Sequence, residues 1–218
     1  MTDDLHRPGR PEDLPPADLL WARWAVLAAV TADPEEVDSR HRHGYWHDAE
    51  GLHLDDSGCT WWTLTRVAGD GSRAVLYGED ESSGVKWHEP AIDVLAGAPA
   101  WLPHEELRKL VESDELGCVY WYENGAWARA AYPDGLDDDG LDCGMSRLAT
   151  FANAVTEAWC ALDEMDGPEP RPSREDTARL VTAAEGGTVT EEFLRPFLNA
   201  DASAAALASA AASGLVPR

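Results

Sequence analysis

Asn124-Gly125 sits between two runs of β-forming residues, 117–123 and 126–132, and no other feature restricts the fold of this chain as tightly. Both residues tolerate positive φ, so they suit the two-residue turn whose twist matches that of antiparallel strands. The turn fixes the register: Glu123 faces Ala126, Tyr122 faces Trp127, Trp121 faces Ala128, Tyr120 faces Arg129 and Val119 faces Ala130. Alternation then sorts the side chains. Val119, Trp121, Ala128 and Ala130 share one face, large against small, as in a packed core layer. Tyr120, Tyr122, Trp127 and Arg129 share the other, where rings with polar tips and a guanidinium able to lie over a ring offer contacts to a partner.

A second hairpin is expected from 60–67 and 74–77 around Gly69-Asp70-Gly71-Ser72. With Asp70-Gly71 as a two-residue turn, Leu64 faces Tyr77 and Arg66 faces Val75, which puts Trp62, Leu64, Val75 and Tyr77 on one side. Helices account for much of the rest. Pro15-Pro16 opens the first, in which Leu20, Trp24, Leu27 and Thr31 form one face, and Asp33-Pro34 closes it. Short helical stretches are expected at 91–95 and 103–111, and Leu148, Phe151, Val155, Trp159 and Leu162 recur at helical spacing over 146–162. Ser173 to Asp176 resembles a capping box, Gly186-Gly187 stops the helix it starts, Thr190 caps another, and 200–212 is rich in alanine.

The fold class these patterns predict is α+β: an antiparallel sheet built from at least two β-hairpins, packed against helices, with a small C-terminal helical appendage. The expected organisation is a main domain over 1–166, a proline-rich linker over 167–172 and the appendage over 173–212. Residues 213–218, Ser-Gly-Leu-Val-Pro-Arg, read as the remnant of a thrombin-cleavable expression tag.

Charge narrows the function. The 218 residues carry 17 basic and 41 acidic side chains, a formal charge of −24. Such a chain repels phosphate backbones and anionic lipid, so neither nucleic acid nor a membrane surface is an expected partner; a basic protein is. The most apolar stretch, 19–30, contains Arg23 and is shorter than the ~20 residues a membrane span needs. No export signal is visible at the start. Cys59, Cys118, Cys143 and Cys160 form no C-x-x-C pair and read as reduced thiols, so a cytoplasmic location is expected. Arginine outnumbers lysine by 15 to 2, which suggests a GC-rich bacterial gene.

Motifs for chemistry are sparse. Four of the seven histidines, His41, His43, His47 and His53, fall within 13 residues. His41 and His43 with His47 or Asp48 would supply three zinc ligands and leave one position for water. The bland alternative is a polar loop whose imidazoles neutralise acidic neighbours and cover Tyr45 and Trp46. The carboxylates of 134–142 suggest a calcium loop, but with Gly140 as the obligatory glycine the twelfth position is Ser146 rather than Glu. His104-Glu105-Glu106-Leu107-Arg108 has Arg108 where a zinc-protease helix needs its second histidine. No phosphate-binding or dinucleotide glycine pattern occurs, and no cofactor is expected.

The leading expectation is a non-catalytic protein-binding module of the immunity or antitoxin type. Tyr120, Tyr122, Trp127 and Arg129 would anchor a basic partner, and Asp137, Asp138 and Asp139 would steer it. One alternative is a metal-dependent hydrolase using His41, His43, His47 and Asp48. Another is a scaffold or regulator that oligomerises through the helical tail.

Overall fold

The computed structural model describes residues 5–33, 42–67, 73–164, 171–198 and 203–216. In chain order its elements are α1 (Ala17–Val30), β1 (Gly44–His47), β2 (Leu52–Asp55), β3 (Thr60–Arg66), β4 (Ala74–Asp80), α2 (His104–Glu112), β5 (Cys118–Glu123), β6 (Ala126–Arg129), α3 (Leu141–Ala149), α4 (Phe151–Glu164), α5 (Arg174–Glu185), α6 (Glu191–Leu194) and α7 (Ser203–Ala212). Single 3-10 turns lie at Pro11–Asp13 and Arg195–Phe197. The architecture is α+β, and its paired strands are antiparallel. Among the described residues no helix is long and apolar enough to cross a membrane.

The chain interleaves two compact units, one formed by 1–17 with 56–146 and the other by 18–55 with 147–218. This differs from the expected break at 167–172. The helices of 173–212 are part of the second unit because each has partners there: Val181 of α5 is buried with Ala154 and Val155 of α4, Glu185 pairs with Arg23 of α1, and the Ser209 hydroxyl of α7 donates to the Ala28 carbonyl. Ser213–Leu215 also belongs to it. Gly214, at φ +75°, turns the chain back so that Val216 N–H reaches the Ala210 carbonyl, Leu215 is buried, and the Ser213 carbonyl accepts the Trp21 indole N–H. This stretch closes α7 whatever its origin.

In the first unit β3, β4, β5 and β6 form a meander. The β5–β6 register is the one that Asn124-Gly125 implies, with both turn residues at positive φ. The β3–β4 register differs by one residue from the expectation: Leu64 faces Leu76, and Thr65 faces Val75. Val67 N–H pairs with the Arg73 carbonyl, which carries this register to the end of the described pair; the turn expected at Asp70-Gly71 lies outside the described residues. A one-residue slip exchanges the two faces of a strand. Leu76 and Ala74 therefore share a side with Trp62, Leu64, Tyr120 and Trp127. Val75 and Tyr77 lie on the side of Trp61, Val119 and Trp121, which packs on Val85, Val94, Leu95, Leu102, Leu116 and on Leu107 of α2. The segment 91–95 is not helical; it leads into a turn that buries Val94 and Leu95.

In the second unit α1 is buried on nearly all sides, with Leu20, Trp24, Val26 and Leu27 shielded from solvent. The single helix expected over 146–162 is two, α3 and α4, broken at Thr150. The Thr150 hydroxyl caps the start of α4 through Asn153 N–H, and the carbonyls of Leu148 and Ala149 are taken by the guanidinium of Arg23. A hairpin, β1–β2, occupies part of what the sequence presents as a histidine-rich loop. Its turn is held by the Asp48 carboxylate, which accepts from the N–H groups of Glu50 and Gly51.

Candidate functional site

The residues expected to meet a partner through β5 and β6 converge on one place, and that place is already filled by the chain's own N-terminal segment, residues 5–16. This strap has no regular periodicity, and it is fixed to itself first. Asp13 accepts from the His6 and Arg10 N–H groups at 3.1 and 2.8 Å and lies 2.7 Å from the His6 ring. Burial works against the charged form of Asp13, but these contacts outweigh it and hold the carboxyl below its ordinary range. Leu5 and Leu14 are buried at its two ends.

The strap is then fixed to the first unit by two side chains of β6 and by Asp139 beyond it. The Trp127 indole N–H donates to the Pro15 carbonyl at 2.7 Å, Arg129 Nε donates to the Gly9 carbonyl at 3.0 Å, and Gly9 N–H donates to Asp139 Oδ1 at 2.8 Å. Arg129 also lies over the Tyr132 ring at 3.7 Å. Asp139, 1% exposed, accepts the Tyr120 hydroxyl at 2.7 Å and Leu141 N–H at 3.3 Å. Burial first, and the Asp139 charge second, push the Tyr120 phenol well above its ordinary pKa, so it remains a donor. At the rim Arg7 Nε reaches Asp142 at 2.6 Å and Asp138 at 3.8 Å.

Tyr120, Trp127 and Asp139 are thus buried rather than open as alternation suggested: the tips of Trp127 and Arg129 bind the strap, and the Tyr120 hydroxyl binds Asp139. Tyr122 is partly exposed and leans on Trp127, with ring centres 5.1 Å apart. Asp137 is exposed and Asp138 partly so. Gly9 has a steric reason to be glycine. A Cβ there would lie 2.7 Å from the Tyr120 hydroxyl and 2.8 Å from Leu141 Cβ, closer than real contacts allow.

The histidines are not gathered. His41 lies outside the described residues. His43 faces Asp55 at 4.0 Å, His47 packs edge-on against Trp21, and His53 stacks on Trp46 while its Nε2 meets Asp48 at 2.8 Å. Burial disfavours the charged form of Asp48, yet the contact with His53 and the turn N–H groups hold its carboxyl well below the usual range. Desolvation lowers the His47 pKa, and its buried Nδ1 has no hydrogen-bond partner among the described residues. Among those residues no three His, Cys, Asp or Glu side chains are placed to hold a metal ion.

Three of the cysteines are unsuited to nucleophilic work. Burial pushes Cys118 well up and Cys143 to about 11, and the Glu81 carboxylate raises Cys59. The large aromatic left most open is Trp87, 75% exposed, whereas Phe151, Trp159 and Phe193 are 37–38% exposed. A tryptophan is expected in the core by default. The signal against this was local: Lys86-Trp87-His88-Glu89-Pro90 follows no strand or helix period, so no element buries the ring. Comparison with protein families, curated proteins and solved structures gives no match to this chain.

Proposed function

We propose that the protein is a non-catalytic acidic binding module that recognises a basic protein, with Trp87 as its anchor. The observation that carries this reading is the indole of Trp87, open to solvent over three quarters of its surface in a chain of net charge −24. Glu81, Glu89 and Asp93 are exposed within six residues of it in sequence, and Lys86, whose Nζ lies 5.7 Å from the centre of the Trp87 ring, is also held by Glu79 and the Asp114 carbonyl, so the open ring surface left for a partner is the part Lys86 does not cover. An exposed tryptophan on an acidic surface is suited to a partner that brings arginine or lysine, because the ring face attracts cations while the carboxylates steer the encounter. A basic nuclease-like toxin, whose cleft is built for phosphate, has that chemistry, and carboxylates would stand in for the phosphates there. This version is the immunity type expected from the charge.

Trp87→Ala tests the reading. The side chain supports no core, so the variant should unfold at the same urea concentration as the parent. Its affinity for a basic protein probe such as a catalytically dead cationic nuclease should fall by about tenfold or more in calorimetry. Equal affinity for the two chains would remove Trp87 from the interface and the reading with it.

A further inference from the structure

We infer that the groove beneath the strap is a peptide-binding site, that residues 5–16 are its resident occupant, and that an arginine-proline-glycine segment of another protein can take their place. This goes beyond the reading based on Trp87 and does not depend on it.

The strap's central stretch is basic in a strongly acidic chain: His6-Arg7-Pro8-Gly9-Arg10-Pro11. The sheet holds it largely as receptors hold extended peptides. Both backbone groups of Gly9 are engaged, N–H by Asp139 and carbonyl by Arg129, while the Pro15 carbonyl is taken by the Trp127 indole. These contacts read backbone and would fit another chain of the same shape. Selection comes from two positions: the glycine slot, closed to a Cβ by Tyr120 and Leu141, and the carboxylates of Asp138 and Asp142, which accept an arginine. Prolines fit because their fixed φ lowers the cost of ordering the segment, Pro11 at the start of the 3-10 turn included. Tethering gives the resident segment a high effective concentration, so a free competitor sees a mostly occupied groove until the strap is weakened.

The test uses the full-length chain and a fluorescein-labelled peptide with the sequence of residues 5–16, followed by fluorescence anisotropy. Gly9→Ala in the chain, which cannot seat its own strap, should bind the peptide about tenfold or more tightly than the parent chain does. The peptide carrying Gly9→Ala should not bind, and one carrying Arg7→Glu should bind about tenfold more weakly. If circular dichroism shows that Gly9→Ala has lost its fold, the Arg7→Glu chain replaces it, because Arg7 lies at the exposed rim and touches no core group. A folded variant that fails to bind the native peptide, or that binds all three peptides equally, overturns the inference. Trp87→Ala placed on either background should leave peptide binding unchanged, which separates this site from the one proposed above.

Discussion

In each unit a buried charged side chain satisfies backbone groups, and Arg23 and Asp139 do it in opposite ways. In the second unit Arg23, 6% exposed, donates to Glu185 at 2.6 Å and to the carbonyls of Leu148 and Ala149 at 2.9 and 2.7 Å. In the first, Asp139 accepts from two backbone N–H groups and a phenol. The cation has an anionic partner and two helices to hold together. The hydrogen bonds to the anion come from neutral donors, one of them on a strap whose only regular structure is a single 3-10 turn. A buried charge matched by an opposite charge is costly to remove because it abandons its partner; a charge held by neutral donors leaves behind groups that are easier to satisfy. The first arrangement suits a fixed joint and the second a contact that can be exchanged.

The comparison breaks most visibly at Arg23. Arg23→Met should lower stability by about 3–5 kcal/mol, since it strands Glu185 and uncovers the end of α3. Urea unfolding measures this, and a loss below that of Asp139→Asn would reverse the proposed ranking. Asp139→Asn should cost about 1–3 kcal/mol, because an amide offers N–H where Tyr120 or Gly9 needs an acceptor. It should also raise the affinity of the groove for free strap peptide less than Gly9→Ala does, because it damages groove and strap together.

The smallest effect is expected from pH. Asp13 has a lowered pKa in the folded chain, so its contribution is complete above the ordinary value of 3.8 and fades as the pH falls through the folded value. Acid should therefore loosen the strap below about pH 4, and Asp13→Asn should flatten that part of the stability profile. Tryptophan emission during urea unfolding at pH 3 to 6 would follow it, since Trp127 loses its Pro15 contact as the strap leaves. An unaltered profile in Asp13→Asn would place the acid response elsewhere.

What the sequence made legible depended on whether a local rule fixed the answer. Asn124-Gly125 admits one register, so β5 and β6 could be paired residue by residue. The capping box at Ser173 and the stop at Gly186-Gly187 are equally local, and α5 has both. Gly69 to Ser72 is compatible with several turns on sequence grounds, so no local rule fixed the β3–β4 register. The hairpin β1–β2 was hidden because its alternation, Tyr45 and His47 against Leu52 and Leu54, is written partly in histidine, which reads as polar although His53 is buried here. The site divided in the same way. Tyr120, Trp127, Arg129, Asp138 and Asp139 were brought together by strand register and charge, but what lies on them was not legible. The strap is held by backbone carbonyls and N–H groups, which every residue has and no side-chain pattern announces.

The order in which this chain is threaded has a kinetic consequence. Arg7 and the carboxylate it meets, Asp142, are 135 positions apart, and Trp21 waits for Ser213 across 192. At ribosomal speed the first of these delays lasts on the order of ten seconds. During that time the basic stretch has no acidic seat of its own and is free to visit others, including a neighbouring groove that its own strap has left. Nascent copies would meet the groove before their own had been made.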